Sequence, residues 1–167
     1  MQVQEPKLPT FIARDIFTAP NPRETLAAWG PYGVCVNFLF QLQNSDTEPR
    51  WHGWLIPWVA GLTLLRATGH VLAKVDSTHS AKHSATIRSI WREWQDDRHA
   101  NWIFWDFIEN ERNNVVKEFE FGFQIEPYAE PEEYEVEPLV YEKMELFREA
   151  VYWWRAQLRN LEVRLHD

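Results

Sequence analysis

The segment ERNNVVKEF, residues 111–119, sets Arg112 and Asn113 ahead of Lys117, which follows the arginine by five positions. A guanidinium fork, an amide and an ammonium group are together a set that can hold a phosphate. Absent from the segment is a group that titrates near neutral pH. A lysine ordinarily titrates near ~10.4 and serves as a base only when desolvated or set beside another cation. His70 can supply such a group. Arg66 and His70 are four residues apart in LLRATGHVLAKVD, so on a helix both point the same way. If that flank meets Arg112, a composite site of Arg66, His70, Arg112, Asn113 and Lys117 results. The structural alternative makes Arg112 and Lys117 solvated charges near a helix C-terminus, where the dipole favours them, and His70 a core-edge residue bonded to a carbonyl.

Other candidates carry less. Asp106 and Glu109, three apart, share a helix face and can pair with Arg112 or Arg66. His79 and His83 in HSAKH have a chelating spacing, but a zinc site needs a third protein ligand and none follows from the pattern. They read as surface residues. The chain has no P-loop, dinucleotide fingerprint or GxSxG elbow. No metal and no cofactor is expected, and ribonuclease chemistry is the one enzymatic reading.

The pattern Arg112-Asn113, then Lys117-Glu118-Phe119, resembles the signature of HEPN proteins, helical-bundle domains of bacterial defence and toxin–antitoxin systems. Their motif has His where this chain has Lys117. Residues 55 to 120 also resemble, more loosely, uncharacterised bacterial proteins with an Arg-Asn-x-x-x-Lys motif. In active HEPN nucleases the resemblance implies metal-free RNA cleavage across a dimer interface, with Arg112 and Asn113 on the scissile phosphate. The lysine retains the phosphate-holding charge and loses the proton-transfer group, so the resemblance implies the fold more directly than the catalysis.

The elements that must position these residues are mostly helical. Four prolines within residues 1–22 indicate an extended arm. Asn21 and Pro22 suit the start of a short helix through RETLAAW, ended by Gly30-Pro31. Val34, Val36, Phe38, Phe40 and Leu42 alternate, which predicts a strand over 34–42 with a buried helix as its rival. Pro57 suits a helix start, and Trp58, Leu62, Leu65, Gly69 and Leu72 form a stripe on which Gly69 admits a close neighbour. Ile87, Ile90, Trp91 and Trp94 mark a second helix. Residues 102–108 are apolar over a wide arc and predict a central third helix. Phe119, Phe121, Phe123 and Ile125 alternate as a strand. Residues 126–137 are an acidic, proline-punctuated connector. Val140, Met144, Phe147, Val151, Trp154, Leu158, Leu161 and Leu165 form an unbroken seam on a last helix of about 26 residues, roughly 39 Å.

The expected fold is therefore mainly α: one domain over 1–167, a four-helix bundle with a short N-terminal helix and a small two-stranded β element. A length of 167 residues and an apolar share of 45% support one sizeable core. Ten Trp point to a thick core or to a partner surface. The net charge of −8 argues against bulk electrostatic binding of nucleic acid. Cys35 stands alone, which fits a reducing cytosol. The start has no signal-peptide pattern and no run could span a bilayer, so a cytoplasmic protein with no membrane partner is expected. The functional expectation is a HEPN-like protein acting through contacts, as a homodimer or with a protein partner. A metal-independent ribonuclease, with RNA as its partner, is the first alternative. An acidic nucleic-acid mimic, suggested by EPEEYEVE, is the second.

Overall fold

The computed structural model describes residues 24–44, 51–120 and 138–167, and nearly all of them are helical. Helix α1 is Trp29–Asn44, α2 is Trp51–Lys74, and a 3₁₀ turn at Asp76–Thr78 leads to α3, Ala81–Asp96. The fourth rod, α4, has three pieces: a π-wound stretch Ile103–Glu109, one α turn Asn110–Asn113 and a second π-wound stretch Asn114–Glu118. Helix α5 is Pro138–His166.

The chain is mainly α, and the expected two-stranded element is not formed. Residues 34–42 lie inside α1, and the described residues contain no strand; positions 121–125 of the second expected strand lie outside them. The reason is visible in burial. Tyr32, Cys35, Val36 and Leu39 are buried at helical spacing, while Val34 and Phe40, on the alternating face, are 49% and 50% exposed. Helix starts also differ from expectation. Residues 24–28 are not helical, and Gly30 and Pro31 open α1 instead of ending an earlier helix. Proline fits there because a first-turn N–H has no partner within the helix in any case. Pro57 lies inside α2, which begins at Trp51, so that helix gives up one backbone bond at the proline. The arm 1–22 and the connector 126–137 lie outside the described residues.

Two carboxylates reach across the fold to hold the segment entering α1. Glu162 Oε1 accepts the backbone N–H groups of Thr25 at 2.6 Å and Leu26 at 3.0 Å, and the Trp29 indole N–H at 3.0 Å. Asp76 accepts those of Ala27 at 2.7 Å and Ala28 at 3.0 Å. Both acids are buried. They fix the segment that leads into α1 from residues far away in sequence, while the N–H groups of Trp29, Gly30 and Tyr32 in the helix itself close on the carbonyls of Leu26, Ala27 and Ala28.

The expected stripes form the core. Trp58, Leu62, Leu65 and Leu72 of α2 are buried, as are Ile87, Ile90 and Trp94 of α3 and the α5 seam from Met144 to Leu165. Ile103, Phe104, Phe107 and Ile108 bury α4 against this layer. A Cβ on Gly69 would lie 3.0 Å from Trp154 Cη2, so α5 crosses α2 close to the glycine backbone. In the core, Trp94 meets Trp91 edge-on and Trp153 at a steep tilt, both with ring centres 4.8 Å apart, and Phe104 lies 5.9 Å from Trp154. The indoles at its edge donate to polar partners: Trp94 to Gln157 Oε1, Trp105 to the Trp94 carbonyl, Trp153 to Asn101 Oδ1. Of the two roles open to the tryptophans, these serve the core, whereas Trp102 is 44% exposed. No helix among the described residues is long and apolar enough to cross a membrane.

Candidate functional site

The buried positions of α4 run 103, 104, 107, 108, 111 and 115. Glu111 therefore falls on the apolar stripe, and its carboxylate points into the packing against α5. There its Oε2 takes Lys143 Nζ at 2.9 Å, while its Oε1 has no hydrogen-bond partner among the described residues. Arg112 comes next, half-buried in the single α turn between the two π-wound stretches. Its Nη1 donates to Asn113 Oδ1 at 2.9 Å, and its buried Nε has no partner among the described residues.

Winding matters to the spacing of Arg112 and Lys117. In an α-helix, residues five apart lie toward opposite sides. A π winding, with its i→i+5 bonds, stacks them more nearly one above the other. The N–H of Phe119 closes on the Asn114 carbonyl across five residues, and Phe119 itself takes a left-handed conformation with φ 56° that ends the rod. Lys117 sits in this last stretch and is exposed.

Arg66 is the member of the α2 pair that meets α4. Its Nη2 lies 3.9 Å from Glu109 Oε1, and its guanidinium is 5.8 Å from the Phe104 ring centre. Glu109 is one turn before Arg112-Asn113, so Arg66, Arg112 and Asn113 belong to one α2–α4 seam. His70, one turn beyond Arg66, is exposed, with neither a hydrogen bond nor an ion pair among the described residues. Asp106 is exposed as well. His79 and His83 have rings 4.8 Å apart, and Ser80 caps α3, its Oγ accepting the His83 backbone N–H at 3.2 Å. No group of three or more His, Cys, Asp or Glu that could hold a metal ion occurs among the described residues.

In comparisons with known proteins, no family model matches the chain, and neither a curated protein nor a solved structure is significantly similar to it. The site must therefore be read from its own geometry. Along one rod it sets a partly buried arginine bonded to an amide, a glutamate that Arg66 of α2 approaches, and a buried Glu111–Lys143 pair. Such a set holds an anion or locks a helix interface. Among the described residues no hydrogen bond or ion pair joins an imidazole to Arg112.

The sequence places Glu111 among the acids of this helix, for which a salt bridge to the neighbouring arginine is the default, and it does not single out Lys143, the cation that Glu111 meets. The available signal was that position 111 continues the 103, 104, 107, 108 stripe.

Proposed function

We propose that the chain is a HEPN-like helical module that acts through protein contacts, as a homodimer, without cleaving RNA. One observation carries this reading: Arg112 is tied to its neighbour Asn113 and partly sunk between helices, an arrangement that fixes a packing surface. A cleaving site needs a group titrating near neutral pH within hydrogen-bond reach of the reacting hydroxyl. His70 is exposed on α2 with no bond to the Arg112 turn, which also favours the contact role. Lys117 supplies charge at the exposed end of the rod.

The test pairs an RNA-cleavage assay in the presence of chelator with sedimentation equilibrium. Wild type, Arg112→Ala and His70→Ala are expected to leave RNA intact to the same degree, and wild type to sediment as a dimer. Cleavage by wild type that disappears in Arg112→Ala would replace this reading with the metal-independent ribonuclease.

A further inference from the structure

Neither α1 nor the part of α2 ahead of Arg66 contains an Asp, Glu, Lys or Arg, in a chain whose charged share is 25%. Each helix nevertheless keeps an exposed row. On α1 it is Gly30, Val34, Asn37 and Gln41, and on α2 it is Ile56, Ala60 and Thr63, both stepping by four and three. Val34 is 49% exposed and Ile56 77%. A Cβ added at Gly30 would meet nothing within 4 Å, so the α1 row is open at that end.

The two helices lie side by side. Phe38 Cε1 stands 2.8 Å from a Cβ built on Gly61, and Asn37 and Ala60, the sequence neighbours of those two residues, are both exposed. A surface helix normally turns charged and polar residues to water. Depletion of charge is instead the mark of the core of an interface.

We propose that this uncharged α1–α2 face is the surface on which a second copy of the chain docks, about a two-fold axis. The proposal deepens the homodimer reading and rests on it. Charge selects a copy of the chain as the occupant. A chain of net charge −8 repels its own copy, and like charges set opposite each other across an interface are costly. A face without charges is where two copies meet at least cost. Symmetry adds a second condition, because a two-fold contact lays a patch on the same patch, so each polar group must pair with its own kind. The amides of Asn37 and Gln41 carry donor and acceptor together and can do so, whereas a carboxylate or an ammonium group cannot. Val34 and Ile56 supply apolar area, and the small side chain of Ala60 between them lets the helices approach closely.

Sedimentation equilibrium at low and high salt is run on the full chain as wild type, Val34→Glu, Ile56→Glu and Val163→Glu, with helix content followed by circular dichroism. Val163 is an exposed valine of α5 outside the face, so its variant adds the same charge elsewhere. Wild type and Val163→Glu are expected to dimerise alike. Each glutamate in the face is expected to weaken the dimer at least about tenfold, with helix content unchanged. Ile56 is the more exposed position, so Ile56→Glu decides should Val34→Glu lose helix. High salt is expected to tighten the wild-type dimer, since it screens repulsion between copies and the face holds no ion pair to weaken. A wild-type dimer that Ile56→Glu and a well-folded Val34→Glu leave intact would overturn this face while the homodimer reading stands. A dimer that dissociates as salt rises would overturn the uncharged contact. A monomeric wild type would overturn both readings, and if it bound phosphatidylcholine vesicles where Ile56→Glu did not, the face would belong to a lipid surface.

Discussion

Gly61 and Phe147 lie so close that a Cβ on the glycine would sit 2.8 Å from Phe147 Cε2, and equally near Phe38 Cε1. Phe147 is fully buried and held by Phe38 and Trp58, so its ring has little room to retreat. Alanine at position 61 gains about 1 kcal/mol of helix propensity and meets overpacking of about 1–3 kcal/mol. Gly61→Ala is expected to destabilise the protein by up to about 2 kcal/mol in urea unfolding. Gly69→Ala, whose Cβ would stand 3.0 Å from Trp154 Cη2, is expected to cost less. The reverse order would contradict the packing described.

The two acids that clamp the entry to α1 respond to pH with opposite sign. Burial is the largest influence on each and raises both. At Glu162 the bonds from Leu26, Thr25 and Trp29 together outweigh it, and the carboxyl ends below its usual range. At Asp76 the amides of Ala27 and Ala28 and the nearby His83 do not, and it ends above. As pH falls through the ordinary glutamate range, the unfolded chain takes up the Glu162 proton before the folded one does, so stability drops. For Asp76 the folded chain binds its proton first, so its contribution is full at acid pH and fades as pH rises through the raised value. Melting temperatures across this range should show the gap between wild type and Glu162→Gln widening with pH. The gap to Asp76→Asn should narrow.

Ion pairs in this protein differ by burial. The side chains of Glu111 and Lys143 are 7% and 18% exposed, and those of Glu93 and Arg164 are 50% and 37% exposed. Lys143→Ala leaves a buried carboxylate without its cation and is expected to cost about 3 kcal/mol, whereas Glu111→Leu with Lys143→Met is expected to be about neutral. Arg164→Ala breaks a bidentate pair at 2.6 and 2.8 Å and is expected to cost about 0.5 kcal/mol. Only this last loss should vanish when unfolding is repeated in high salt.

The long helices were legible because their stripes bury whole turns, and the seam from Met144 to Leu165 is buried as its spacing implies. Residues 34–42 were misread because in a short window the alternation of Val34, Val36 and Phe38 overlaps with the helical set Tyr32, Cys35, Val36 and Leu39. Only the partner surfaces decide which set is covered. The α2 stripe is legible, but proline's preference for a first turn points to a start at Pro57, whereas α2 runs back to Trp51. In the candidate site, Arg66 reaches the α4 rod as its flank suggested. The π winding around Arg112 has no local sequence signal, and the long-range partners of Asp76 and Glu162 follow only from tertiary proximity.

The clamp on α1 also has a consequence for biosynthesis. Thr25 and Leu26 precede their acceptor Glu162 by 137 and 136 residues. At roughly 5–20 residues per second, their amides emerge about 7–27 s before that carboxylate is made. During translation the amides of Thr25 and Leu26 must therefore wait without their acceptor, whereas those of Ala27 and Ala28 meet Asp76, only 49 and 48 residues on, much earlier.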